Sequence, residues 1–90
     1  MKYRLDFANQ AKTEIKAFKK SNPTACDKVM KLLKELANHP FTGTGKPERL
    51  KYRHEEWSRR ITGKHRLIYA VDDETATVKI ISVSGHYENT

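Results

Sequence analysis

The amino-acid sequence predicts an α+β fold in which an N-terminal strand and two helices pack on a mainly antiparallel sheet, and three changes of pattern predict it. Apolar residues alternate with polar ones at the start of the chain, recur at helical spacing from Ala8 to Leu36, and return to strand-like runs from Glu48 onward. Strands that follow a helical pair, rather than alternating with helices, favour a segregated helical layer over a parallel α/β sheet. The 90 residues, 37% hydrophobic and 32% charged, suffice for one core, so residues 1–90 are expected to form a single domain.

Tyr3, Leu5 and Phe7 alternate with Arg4 and Asp6, the period of a short strand with one buried face. From Ala8 the period changes. Ala8, Ala11, Ile15 and Phe18 share one helical stripe opposite Lys12, Lys16 and Lys19, giving a first helix that ends near Lys20. Ser21-Asn22-Pro23 breaks this helix and starts a second, because asparagine caps a helix well and proline is well tolerated at the first helical position. The second helix places Ala25, Val29, Leu32, Leu33 and Leu36 on its apolar face and should stop before Pro40. Residues Pro40 to Pro47, with two prolines and two glycines, read as an irregular connection. Strands are then expected at Glu48–Arg53, Trp57–Thr62, His65–Asp72 and Thr77–Tyr87, joined by short polar segments into an antiparallel meander. The third has apolar residues on both parities, as a central strand covered on both faces would.

Lysine and arginine number 18 against 11 acidic residues, and the net charge of +7 favours a polyanionic partner, most simply nucleic acid. The single cysteine, Cys26, rules out an intramolecular disulfide and a cysteine-only zinc site, and it reads as a small, partly buried residue. No apolar run reaches the roughly 18–20 residues that span a bilayer, and the N-terminus lacks the apolar core of a signal peptide. A cytoplasmic protein with no membrane partner is therefore expected. Gly43-Thr44-Gly45-Lys46 lacks the spacing and the following helix of a phosphate-binding loop. His39, His54, His65 and His86 are scattered, so neither a metal nor a cofactor is expected.

What remains is a dense polar set in the strand half: Lys46, Glu48, Lys51, Arg59, Arg60, Arg66, His86 and Tyr87. Cleavage of RNA without a metal needs such a set. A base takes the proton of the ribose 2′-hydroxyl, an acid protonates the departing 5′-oxygen, and cations stabilise the charge that builds on phosphorus. Glutamate or histidine can serve as base, histidine or a cation-assisted group as acid, and arginine suits the clamp because its planar fork holds two phosphate oxygens. In Trp57-Ser58-Arg59-Arg60-Ile61 the parity of Trp57 and Ile61 puts Arg59 on the core face and Arg60 on the other, which makes Arg60 the better substrate contact. Arg66 shares parity with Ile68 and Ala70 on the central strand, a covered or concave position where an arginine wants an anion. A structural salt bridge to Glu48 or Asp72 is the equal alternative for it.

Four ordered blocks carry a family resemblance: Pro40-Phe41-x-Gly43-x-Gly45-Lys46-Pro47-Glu48-x-Leu50-Lys51, Trp57-Ser58-Arg59-Arg60-Ile61, His65-Arg66-Leu67-Ile68-Tyr69, and His86-Tyr87. In these blocks, about half the chain, the sequence resembles the YoeB/Txe toxins of the RelE superfamily of bacterial toxin–antitoxin systems. The resemblance implies a RelE-like, microbial-RNase-like fold and a ribosome-dependent endoribonuclease that cuts mRNA in the ribosomal A site. By the same resemblance Glu48 falls on the general base, His86 on the general acid and Arg66 on the residue that stabilises the transition state. Tyr87 falls on a partner that orients base or phosphate, and Lys51 and Arg60 on supporting cations; Lys46, from the polar set, is expected to bind substrate with them. The implied partners are mRNA on the ribosome, ribosomal RNA and an acidic cognate antitoxin of the YefM/Axe type, with a homodimer also allowed. The chain differs from the family at Arg49, where proline is usual, and in the segment Tyr52 to Glu56. A noncatalytic basic RNA-binding module and an operon co-repressor that acts with an antitoxin are the competing classes.

Overall fold

The computed structural model describes residues 2–45, 47–49 and 56–86, the last two by their backbone. The element order is β1 (Arg4–Phe7), α1 (Asn9–Ser21), α2 (Pro23–Asn38), β2 (Glu48–Arg49), β3 (Glu56–Arg60), β4 (His65–Asp72) and β5 (Thr77–His86). The helix break falls where the sequence places it. Asn22 ends α1 by donating its N–H to the Phe18 carbonyl at 2.8 Å, and its side-chain oxygen then accepts the Ala25 N–H at 3.2 Å to cap α2. Pro23 opens α2, where its missing N–H costs nothing.

Among the described residues the strands form one five-stranded sheet in the order β1-β5-β4-β3-β2. β2 to β5 are an antiparallel meander, whereas β1 lies parallel to β5. Parallel pairing needs a crossover, and the helical pair between β1 and β2 carries the chain over the sheet to make one. Both helices cover the same face: α1 packs on β5, and α2 packs on β1 and β5. The fully buried Ala11, Val29, Leu32 and Leu36 of the helices meet Leu67, Tyr69, Val78 and Ile80 of the sheet. Cys26 is a buried free thiol within this layer. Lys12, Lys16 and Lys31 are exposed on the outer helical surface and Lys28 is half-buried.

Two strand boundaries depart from expectation. β3 begins at Glu56 and ends at Arg60, not at Trp57 and Thr62. Ile61 and Thr62 instead turn the chain, because both N–H groups converge on the His65 carbonyl at 3.0 and 3.2 Å. The Thr62 hydroxyl meanwhile accepts the Lys64 and His65 N–H groups at 3.1 Å. The first expected strand is seen as Glu48–Arg49, and residues 50–53 of it lie outside the described residues. Among the described residues no helix is long and apolar enough to cross a membrane.

The capping geometry predicts that Asn22→Ala lowers stability by about 1 kcal/mol, since an orphaned N–H at the start of α2 loses its acceptor. Urea unfolding followed by circular dichroism should show a lower midpoint with an unchanged slope.

Candidate functional site

The site is built around β3, whose pleat sends three consecutive polar residues to different tasks. Arg59 points into the helical layer and has no exposed surface. Its Nη1 pairs with Glu35 Oε1 of α2 at 3.0 Å, its Nε donates to the Tyr69 hydroxyl at 3.3 Å, and its Nη2 donates to the carbonyls of His39 and Thr42. Tyr69 in turn donates to the Pro40 carbonyl at 2.8 Å. Glu35 also accepts the Thr44 N–H at 2.8 Å and the Thr44 hydroxyl at 2.7 Å. One guanidinium and one carboxylate thus bind the 39–44 connection to the sheet.

The glycines of that connection answer to two contacts, Gly43 to the Arg59–Glu35 pair and Gly45 to the backbone of β3. A Cβ at Gly43 (φ +125°) would sit 2.5 Å from Glu35 Oε1, and one at Gly45 (φ +84°) would sit 2.9 Å from the Arg60 carbonyl oxygen. Both positions require a residue without a side chain and with positive φ. Gly45 then accepts the Arg60 N–H at 2.7 Å, and the chain runs through Pro47 into β2. The connection that precedes β2 is therefore held at its start by Arg59 and at Gly45 by the Arg60 backbone.

On the opposite face the register gathers the charged residues. Glu48 of β2 stands opposite Ser58 of β3, and Arg60 stands opposite Arg66 of β4. Ser58 is fully buried and Arg66 only 3% exposed, and Arg66 Nη1 donates to the Ser58 hydroxyl at 3.1 Å. That bond gives Arg66 a neutral positioning partner beside the strand that bears Glu48. Arg60 is exposed. On its other side Arg66 pairs with Gly85 of β5, and His86 pairs with His65. With strands about 4.8 Å apart and about 3.3 Å per residue along them, Arg66 lies two strands and two residues, or about 12 Å, from the backbone of Glu48 and one strand from that of Gly85-His86. Lys46, Lys51 and Tyr87 lie outside the described residues.

A second carboxylate holds β5. Glu14 of α1 accepts the Ser82 hydroxyl at 2.9 Å, the Val83 N–H at 2.8 Å and the Ser84 N–H at 3.2 Å on one oxygen, and the Gln10 amide at 2.8 Å on the other. Burial alone would raise the pKa of Glu14, but the bonds from Gln10, Ser84, Val83 and Ser82 outweigh it and hold the carboxyl below its ordinary value. Glu35 behaves alike: burial pushes it up, while the Thr44 bonds and the charges of Arg59 and Lys31 bring it below its ordinary value. Sequence reasoning placed Arg59 on the core face but missed both glutamates. Each sits among helical surface residues, and only tertiary packing turns it toward the sheet.

Two helices on one face of a five-stranded, mostly antiparallel sheet, with a charged cluster on the other, define a RelE-like toxin fold. RelE in the archaeal RelE–RelB complex of Pyrococcus horikoshii shares it at a TM-score of 0.74 over 93% of this chain and 94% of that one, at 18% identity. Sequence narrows the class, because residues 7–87 match the family described as YoeB-like toxin of bacterial type II toxin-antitoxin system, and the chain belongs to that family. Toxin YoeB of Escherichia coli K12 is 48% identical over 52 residues, a match that spans 57% of this chain and 62% of the E. coli protein. YoeB of Staphylococcus aureus, solved as a dimer, superposes with a TM-score of 0.83 and 36% identity over 97% of this chain and 100% of that one. The same toxin in a YoeB–YefM complex gives 0.79 and 38% over the same shares.

Arg59→Met should cost about 3–5 kcal/mol, because it strands Glu35 and three oxygen acceptors around a position with no access to water. Thermal unfolding would show this directly. The two glutamates also set an acid limit. A carboxylate whose folded pKa is depressed contributes stability that is complete above its ordinary 4.5 and is lost as the pH falls through its lower folded value. Urea midpoints should thus decline below pH 4.5, and less steeply in Glu35→Gln.

Proposed function

We propose that this toxin is an endoribonuclease that cuts mRNA in the ribosomal A site, and that it works by attack of the ribose 2′-hydroxyl. The observation that carries the reading is the buried Arg66, anchored by Ser58 between the strand that bears Glu48 and the strand that ends in His86. Its guanidinium would hold two nonbridging phosphate oxygens. Glu48 takes the proton from the 2′-hydroxyl, the 2′-oxygen bonds to phosphorus, and negative charge grows on the oxygens that Arg66 holds. The bond from phosphorus to the 5′-oxygen then breaks as His86 protonates that oxygen. The products are a 2′,3′-cyclic phosphate and a free 5′-hydroxyl. Tyr87 orients the base or phosphate, and Lys46, Lys51 and Arg60 neutralise neighbouring phosphates. No metal or cofactor enters this balance.

The partners follow from charge and family. An excess of +7 on 90 residues draws the protein to mRNA and ribosomal RNA. The same charge suits an acidic, flexible antitoxin whose C-terminal segment lies across Glu48, Arg66 and His86, and the S. aureus relative is solved with YefM. Self-association is a further property the chain would share with that relative, which is solved as a dimer. The site of action is the cytoplasm, where translating ribosomes are.

In a purified translation system, Arg66→Ala and His86→Gln should each reduce cleavage of translated mRNA by about 10²–10⁴-fold while the circular dichroism stays native. Parental cleavage in either variant would overturn these roles. The upstream fragment should end in a cyclic or 3′-phosphate, and cleavage should survive EDTA under conditions that leave ribosomes intact. A 5′-phosphate on the downstream fragment would contradict 2′-hydroxyl attack. Binding to the antitoxin should show an association rate that falls with salt more steeply than dissociation rises. A salt-independent association rate would remove the electrostatic part of the reading.

A further inference from the structure

β5 does not run in register along β4. Tyr69 pairs with Ile80 but Ile68 with Ser82, and Ile68 pairs with Ser82 but Arg66 with Gly85, so β5 takes in an extra residue at each of two irregularities. The consequence is positional. A regular ladder continued from Tyr69 and Ile80 would set His86 opposite Gly63, in the turn beyond the end of β4. The two extra residues draw Gly85 and His86 back until they stand opposite Arg66 and His65. Bulges leave backbone groups without ladder partners and re-aim the chain beyond them. Here the displaced groups are met from α1, since one Glu14 oxygen accepts the Ser82 hydroxyl and the Val83 and Ser84 N–H groups.

We infer that Glu14 is a positioning residue, which holds the doubly bulged stretch of β5 and thereby sets Gly85-His86 beside Arg66. The inference rests on the catalytic reading of Arg66 and His86 given above, although Glu14 itself acts through the backbone of β5. A carboxylate suits the task because one oxygen accepts three converging donors while the other is steadied by Gln10 one helical turn earlier. Placing the clamp on α1 ties β5 to the helical layer at the stretch where its own ladder to β4 is interrupted.

The test is Glu14→Leu, which keeps the bulk and removes the acceptor, with Glu14→Gln as the conservative variant that keeps one oxygen. Amide exchange at Val83 and Ser84 should quicken at least about 10-fold in Glu14→Leu while Ile80 stays protected. The kcat for cleavage should fall about 10–100-fold with KM within about 2-fold, the pattern of a misplaced group in an intact binding surface. Glu14→Gln should restore most of both. Should Glu14→Leu fail to fold, Ser82→Ala, which deletes one donor, should show the same pattern more weakly. Uniform loss of protection across the sheet would overturn the inference, as would selective loss at Val83 and Ser84 with parental kcat where His86→Gln is itself impaired. His86→Gln run alongside separates the two readings. If it cleaves as the parent does, the catalytic assignment has failed, and the inference stands or falls on the exchange pattern alone.

Discussion

The Arg59–Glu35 pair is the contact on which the rest of the molecule depends. A guanidinium with no exposed surface is costly unless each nitrogen has an acceptor, and here a carboxylate, a phenol and two carbonyls are arranged around it. Those acceptors belong to the end of α2, the connection after it and β4. The pair therefore joins three elements that share little apolar surface at this edge. Trp57 is only half-buried, and its ring meets a Phe41 that is 40% exposed. Hydrophobic contact alone would leave the 39–45 connection loosely held, and the polar network supplies the specificity.

The two half-buried carboxylates do parallel work from the two helices. Glu35 on α2 secures the connection that leads to Glu48, and Glu14 on α1 secures the irregular part of β5 that leads to His86. Each uses an anion to gather donors that regular structure leaves over, the Thr44 N–H in one case and the Val83 and Ser84 N–H groups in the other. The residues proposed to act on RNA sit on short or distorted strand segments, which seldom hold their own geometry. Fixing them from the helical layer separates stability from chemistry.

Much of this was legible in the sequence, and the limits have physical causes. Period and capping chemistry located both helices and their break at Asn22-Pro23, because those signals are local. Short polar spacers revealed the meander, since two-to-four-residue connections force neighbouring antiparallel strands. The spacing Gly43-x-Gly45 was visible but its reason was not: the clash that forbids a side chain involves Glu35 and Arg60, distant in sequence. Nor could parity continue along β5, because a bulge leaves no composition signal and shifts the partners of every residue after it. Arg66 was foreseen on a covered surface, and Ser58 as its partner was not. The relation of Lys46, Lys51 and Tyr87 to the site lies outside the described residues.

Charge along the sheet gives the basic surface a direction. Asp6, Asp72, Asp73 and Glu74 gather around the β4–β5 turn, where Asp72 also accepts the Glu74 N–H at 3.0 Å. Arg66 lies toward the other end of β4, six residues or about 20 Å away at the usual rise per strand residue. Phe18 stacks edge-on against His65 with ring centroids 5.1 Å apart, which brings the last turn of α1 and its Lys19 and Lys20 to the arginine end. Physiological salt screens charges over about 8 Å, so the acids at the far turn do little to offset the potential around Arg60 and Arg66. The net charge of +7 thus understates what a phosphate or a carboxylate meets at that end. An anionic chain approaching this protein is oriented before it makes contact, toward the end where Arg59 and Glu14 hold the strands in place.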